Sequence, residues 1–237
     1  ALVAKLVAKS SVPHKLLKNL TGAAQFIENF KHRKTLATGM TEAFKTHVAP
    51  SDLHEFLADS MPPLMVHVWY DDAVHRSFAG KSDWGCVQGV SQSEHLGEWT
   101  RWYDAAGEMY DAATGETWSS LLYEPIGSVS PANNFLVSDT DYVEFLTEID
   151  IQTPVPDRVK ELRRDRNFLF LGCRFNTQLD RILAHQVSKR SSAKHWAVLP
   201  EAPTRNEIRF MEEHGIERIE TPLEEFAAQL MGAAAFG

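Results

Sequence analysis

The sequence is short of cysteine, of basic residues and of long apolar runs, and each shortage removes a class of protein. Only two cysteines occur among 237 residues, Cys86 and Cys173, far apart and outside any CxxC spacing. They suggest neither a zinc site nor a disulfide framework, and they fit a reducing compartment such as the cytoplasm. Lys and Arg number 24 against 32 Asp and Glu, a net charge of −8, whereas a nucleic-acid groove needs a clustered basic surface. Two short basic runs, "KELRRDR" (160–166) and "KRSSAKH" (189–195), read as solvated helix ends, with a local phosphate patch as the alternative. No apolar stretch reaches the roughly 18 residues of a membrane span. The opening "ALVAKLVAKSSVPHKLL" is interrupted by lysines where a signal peptide is continuously apolar. The expectation is a soluble, cytoplasmic protein with no membrane, nucleic-acid partner or metal.

What is present is an ordinary globular composition, 43% hydrophobic and 24% charged, with legible periodicities. In "LTGAAQFIENF" (20–30) and "SDLHEFLADS" (51–60) apolar residues recur at three- and four-residue spacing, which predicts helices, the second capped near Ser51. The run from Leu64 to Trp69 after two prolines predicts a buried strand. The final third alternates strand and helix: "NFLFLG", "TQLDRILAHQVSKR", "HWAVLP", "TRNEIRFMEEHG", "IERIE" and "TPLEEFAAQL". Thr204 with Glu207 and Thr221 with Glu224 have capping-box spacing, and Gly215 is a helix-ending residue type. Such alternation implies parallel strands joined by right-handed crossovers, an α/β, Rossmann-like sheet flanked by helices.

Residues 82–120 break the pattern. They hold four of the six tryptophans and no sustained period, and read as an inserted small subdomain or lid within a domain made of 1–81 and 121–237. The tryptophans either form a small core, stack on a planar ligand, or anchor a protein partner or a second copy of the chain.

Open α/β sheets bind ligands at the carboxyl ends of their strands, where three polar segments fall: "HVWYDD", "EPIGSVSPANN" and "GCRFNTQ". In the third, Gly172 permits a tight turn, Asn176 or Thr177 caps the following helix, and Arg174 either grips a phosphate or pairs with a structural carboxylate. In the second, Asp139 and Asp141 precede a helix whose dipole favours them. In the first, Asp71 or Asp72 caps a short helix or grips a ribose or an amide.

Taken together these segments resemble the sirtuin-like (silent information regulator type) NAD-binding proteins, in the bacterial branch that lacks a zinc ribbon. "PLMVHVWYDDAV" resembles the family's strand ending in Thr-Thr-Asn-Tyr-Asp, and "LLYEPIGSVSPANNFLVSDTDYVEFL" its Leu-His-Gly-Ser motif followed by Thr-Glu-x-Asp-Tyr. "FLFLGCRFNTQLDRIL" resembles its Gly-x-Ser turn. The resemblance implies a site for NAD or ADP-ribose that uses Asp71, Gly127, Ser128, Gly172, Arg174 and Asn176, and chemistry at the nicotinamide–ribose bond. It also marks departures. His67, Val68 and Trp69 stand where Thr-Thr-Asn is expected, and Ile126 stands where a histidine base precedes Gly127. Arg174 takes the place of a serine, and no Gly-Ala-Gly-x-Ser loop is found. The expectation is a non-catalytic nucleotide-binding or protein-interaction subunit. The alternative is an NAD glycohydrolase or deacylase whose loop lies upstream of Ala1, with His67 and Asp71 as its catalytic groups.

Overall fold

A computed structural model of the chain describes residues 2–7, 12–111, 117–148 and 155–234. The chain falls into two compact units, 1–156 and 157–237.

The first unit begins with helices α1 (Leu2–Val7), α2 (Leu20–Lys31), α3 (Arg33–Ala43) and α4 (Asp52–Asp59). Their starts are set by local chemistry. The Asn19 side chain accepts the Gly22 N–H at the head of α2, and Ser51 forms a reciprocal cap with His54 at the head of α4. There follow β1 (Leu64–Val66), α5 (Ala73–Ser77), β2 (Trp84–Gly89), β3 (Thr100–Asp104), β4 (Met109–Tyr110), β5 (Ser120–Glu124), β6 (Gly127–Ser128), β7 (Asn134–Phe135) and α6 (Asp139–Glu148). The main sheet has the order β1-β5-β2-β3-β4. β5 lies between β1 and β2 and is parallel to both, while β3 and β4 continue the sheet antiparallel. Ala58, Val74, Phe78, Trp84, Cys86, Tyr103 and Leu122 form a core against it.

The tryptophan-rich segment, expected as an insertion or lid, is built into this sheet: it supplies β2, β3, β4 and the start of β5. Residues 112–116 of it lie outside the described residues. Trp84 and Trp102 are buried in it, and Trp99 and Trp118 are half-buried. Trp84 is 2% exposed and stacks on Phe78, and the Trp118 ring lies so close over Gly85 that a β-carbon there would sit 2.1 Å from it.

One arginine joins the helices to the turn beyond β7. Arg33, the first residue of α3, donates to the Asp141 carboxylate (2.7 Å), to Glu94 (3.0 Å) and to the Phe135 carbonyl. Asp141 also accepts the backbone N–H groups of Val137 and Ser138 and the Ser91 hydroxyl, and the Ser138 hydroxyl accepts the Asp141 N–H in return. Of the two acids expected to cap α6, Asp141 is therefore the one bound into its start.

The second unit contains α7 (Asp157–Arg163), β8 (Leu169–Phe170), α8 (Gln178–Ser188), β9 (His195–Val198), α9 (Arg205–Glu213), β10 (Ile216–Ile219) and α10 (Leu223–Ala234). β9 pairs in parallel with both β8 and β10, so each unit carries its own parallel strands flanked by helices. Helix α8 starts on a Thr177–Asp180 capping box and α9 on Thr204–Glu207. Gly215 has φ +63°, and a β-carbon there would meet the Ala193 carbonyl at 2.1 Å; only glycine closes that turn. The basic run 160–166 is partly turned inward, since Arg163 is 5% exposed and donates to the carbonyls of Gln186 and Val187.

His195 at the start of β9 accepts the Phe168 N–H at Nδ1 (2.9 Å), which requires a neutral ring. Burial lowers its imidazole pKa, against a hydrogen bond with the Ser192 backbone, and His214 adds to the lowering. A histidine depressed in the folded state stabilises fully above its unfolded value of about 6.5, and that contribution is lost as pH falls towards the folded value. The protection factor of the Trp196 amide, its exchange rate taken relative to that of the unfolded chain at the same pH, should therefore fall between pH 7 and pH 5.5. His195→Gln keeps an acceptor without a titrating ring and should remove most of that dependence.

Candidate functional site at the carboxyl ends of the parallel strands

In the first unit the strands β1, β5 and β2 end side by side, and their last residues carry a buried polar chain. Glu124 closes β5 with its side chain fully buried, and Gln88 lies opposite it in β2. His67 follows β1 and is held in line by its N–H to the Tyr123 carbonyl at 2.9 Å. The Gln88 amide nitrogen donates to Glu124 Oε2 (2.7 Å) and to the Ser130 carbonyl (2.6 Å), which uses both of its hydrogens. Its oxygen accepts from the Asn134 amide (2.8 Å), whose second hydrogen goes to the Tyr103 hydroxyl (3.0 Å). The other carboxylate oxygen faces His67 Nδ1 at 3.3 Å. Because a carboxylate only accepts, it turns the His67 ring with Nδ1–H towards itself and leaves Nε2 as the reactive edge. Burial raises the pKa of Tyr103, opposed by the Asn134 hydrogen bond.

Around this chain the loops are fastened to one another. The Ser128 hydroxyl donates to the Asp71 carbonyl (3.0 Å), and the Val129 N–H to the Tyr70 carbonyl (2.9 Å). Asp71 Oδ1 accepts the Ala73 N–H (3.0 Å) and so starts α5, while Asp72 is 3% exposed and paired with His47. Gly127 has φ +73°, and a β-carbon there would meet the Asn134 carbonyl at 2.2 Å. A β-carbon on Gly89 would meet the Pro125 carbonyl at 2.1 Å. Both glycines thus serve backbone-to-backbone packing rather than a cradle for phosphate. His54 stands near His67 and Asp71; burial and then His67 lower its imidazole, against the pull of Asp71. Structure thus brings together His67, Asp71, Gly127 and Ser128.

Gly172, Arg174 and Asn176 belong to the second unit. Gly172 takes φ +64°, as the turn reading expects. Arg174 directs Nε and Nη2 at Glu207 (3.3 Å each) and Nη1 at Glu201. Glu207 is fully buried, and burial alone would raise its carboxyl. The Thr204 N–H and the Arg174 guanidinium outweigh that and hold it below the ordinary range. Of the two sequence readings of Arg174, pairing with a structural carboxylate is the arrangement present. Asn176 is exposed, and Thr177 is the residue that caps α8.

Sequence reasoning passed over Glu124, Gln88 and Asn134. The signal for Glu124 was an acid closing the apolar run "SLLY", which a strand buried on both faces does not accept without a partner. Neither cysteine is activated. Burial pushes the Cys86 thiol well above its usual range and that of Cys173 to about 11. Among the described residues no group of three or more His, Cys, Asp or Glu is arranged to hold a metal, and no helix is long and apolar enough to cross a membrane.

Parallel strands flanked by helices, with polar groups gathered at the strands' carboxyl ends, define a Rossmann-like fold. The family model of the SIR2-like domain matches residues 63–219, and the chain belongs to that family. SIR2-like domains bind NAD, which ties the chain to an NAD-related function. No curated protein matches the chain.

Removing the Glu124 carboxylate strands the Gln88 amide. Glu124→Ala should cost about 2–4 kcal/mol in urea unfolding, and Glu124→Gln, which keeps an acceptor for Gln88, about 1 kcal/mol. Arg174→Ala should lower the melting temperature without any ligand present. The loss should be larger at pH 7, where Glu207 is left charged and buried, than near pH 4, where it takes up a proton.

Proposed function

We propose that the chain is a nucleotide-binding subunit that holds NAD or ADP-ribose at the carboxyl ends of β1, β5 and β2 without turning it over. The observation that carries this reading is Ile126. The residue ahead of Gly127, where the resemblance calls for a histidine, is an apolar side chain 3% exposed, and it moves no proton. The polar groups beside it are engaged: the Ser128 hydroxyl in the loop and the Gln88 amide in the core. Asp71 lies where a ribose is gripped in α/β sheets, and no described residue forms an ion pair with its carboxylate. These groups suit the sugar of a nucleotide better than its pyrophosphate, because the two glycines beside them, Gly127 and Gly89, face backbone carbonyl groups. In this reading protein partners would meet the exposed side chains of segment 82–120, Leu96 (91% exposed) and Met109 (67%), rather than its tryptophans, of which Trp84 and Trp102 are buried.

A second reading, an NAD-consuming hydrolase or deacylase, has one observation in its favour: the His67 ring is oriented by the buried Glu124 carboxylate, an arrangement able to support a general base. The two readings part in one pair of measurements. Millimolar NAD or ADP-ribose should raise the melting temperature by about 5 °C if the concentration exceeds Kd a hundredfold. Nicotinamide release from NAD should stay at the blank. Release that disappears in His67→Ala would favour the hydrolase, and an unchanged melting curve with every nucleotide would remove the binding reading.

A further inference from the structure

The charge of the chain is not spread evenly. Residues 1–50 hold eight Lys and Arg against two Asp and Glu, whereas residues 51–156 hold three against 18. Both stretches belong to the first unit, so one compact body carries a basic helical part and an acidic part built on the main sheet. Each part also shows large apolar side chains that the core does not cover.

The basic surface is the corner between α2 and α3. Phe30, near the end of α2, is 68% exposed and leans on Phe26, with ring centroids 4.5 Å apart. Lys31 and Lys34, on either side of the turn at His32, are exposed, and no described residue forms an ion pair with either. Arg33 between them is turned inward to Asp141 at 2.7 Å. The acidic surface is the β3–β4 hairpin. β4 is the edge strand of the main sheet, and its two residues, Met109 (67% exposed) and Tyr110 (39%), stand between the exposed Glu108 and Asp111. The hairpin is held in shape from within. The Asp104 carboxylate accepts the N–H groups of Ala106 (2.9 Å) and Glu108 (3.0 Å), and Tyr110 lies against Trp118 at 5.4 Å. An edge strand that shows apolar side chains is a place where another chain adds.

We infer that these two surfaces fit each other on different copies of the chain: the corner of one copy, Phe30 with Lys31 and Lys34, docks on the hairpin of the next, Glu108 with Met109 and Tyr110. On both sides apolar surface is bordered by charge, and the two charges are opposite, which suits a desolvated centre with a polar rim. An acidic or a basic partner of another kind matches only one of the surfaces, whereas a second copy matches both. Two unlike patches make the contact heterologous. Each copy keeps one corner and one hairpin for further neighbours, so association runs head to tail into a ring or a filament and does not stop at a symmetric pair. The inference extends the partner surface at Met109 proposed above, and it needs no nucleotide.

Sedimentation velocity on the full chain over a range of concentrations tests this. The sedimentation coefficient should rise with concentration, and the association should weaken about tenfold between about 50 and about 300 mM salt. Phe30→Ala should weaken it about tenfold at low salt. Lys31→Glu combined with Lys34→Glu, and separately Glu108→Lys, should each leave the chain monomeric on its own. An equimolar mixture of those two reversed chains should associate again, because each surface then meets its opposite charge. Circular dichroism melts close to that of the unaltered chain would verify that these exposed substitutions fold. An unaltered chain that stays monomeric at every concentration, reversed chains that still associate alone, or a mixture that stays monomeric would overturn the contact. Each of these leaves nucleotide binding untouched, since that is read from the melting shift with NAD or ADP-ribose.

Discussion

The buried carboxylate of Glu124 is the constraint around which the first unit is arranged. It lies at the end of the strand that both β1 and β2 flank, in a place where an unpaired charge would cost several kcal/mol. Everything nearby answers to it. Gln88 is fixed by register opposite it in β2, and His67 by the extension of β1. Asn134 reaches Gln88 only because β7 folds back on β6, and that fold in turn needs the positive φ of Gly127. The short hairpin, the tight glycines and the histidine are parts of one solution to a single desolvation problem.

Both units use an arginine and a buried acid to fasten a helix start, in different ways. In the first, Arg33 is shared between the buried Asp141 and more exposed partners, and Asp141 also closes the cap of α6. In the second, Arg174 reaches from the β8 turn to Glu207, which closes the cap of α9. Each acid does two jobs, capping a helix and neutralising a guanidinium. That is why Arg174, an attractive phosphate ligand when read from a turn sequence, has its donors already directed at carboxylates.

The legible parts of the sequence were those with local signatures. The cap at Ser51, a cap at Asn176 or Thr177, the capping box at Thr204, the helical faces of α2 and α8, and the turns at Gly172 and Gly215 are decided within a few residues of chain, and the structure has them, with Thr177 as the second cap. Strand β2 was not legible. All six residues of "WGCVQG" are buried, so there is no alternation to detect, and its tryptophan and glycines suggested an irregular excursion. The division of the strands between two units was equally hidden, because periodicity identifies a strand without naming its neighbours. The site was half legible. Asp71 was named from its place after a strand and His67 and Ser128 from the family resemblance, whereas Gln88 and Asn134 matter only through hydrogen bonds to residues 36 and 46 positions away.

The polarity of the amide chain sets a direction. Asn134 donates to Gln88, and Gln88 donates to Glu124, so every dipole in the row points the same way and ends on the carboxylate. Such a row has no second arrangement of equal energy, since reversing one amide would set hydrogen against hydrogen or lone pair against lone pair. An apolar residue at 124 would leave the whole row aimed at nothing, and a basic one would oppose it. A glutamine at 124 keeps the acceptor that ends the row, whereas an apolar or basic residue there has to be matched by changes at Gln88 and Asn134 as well.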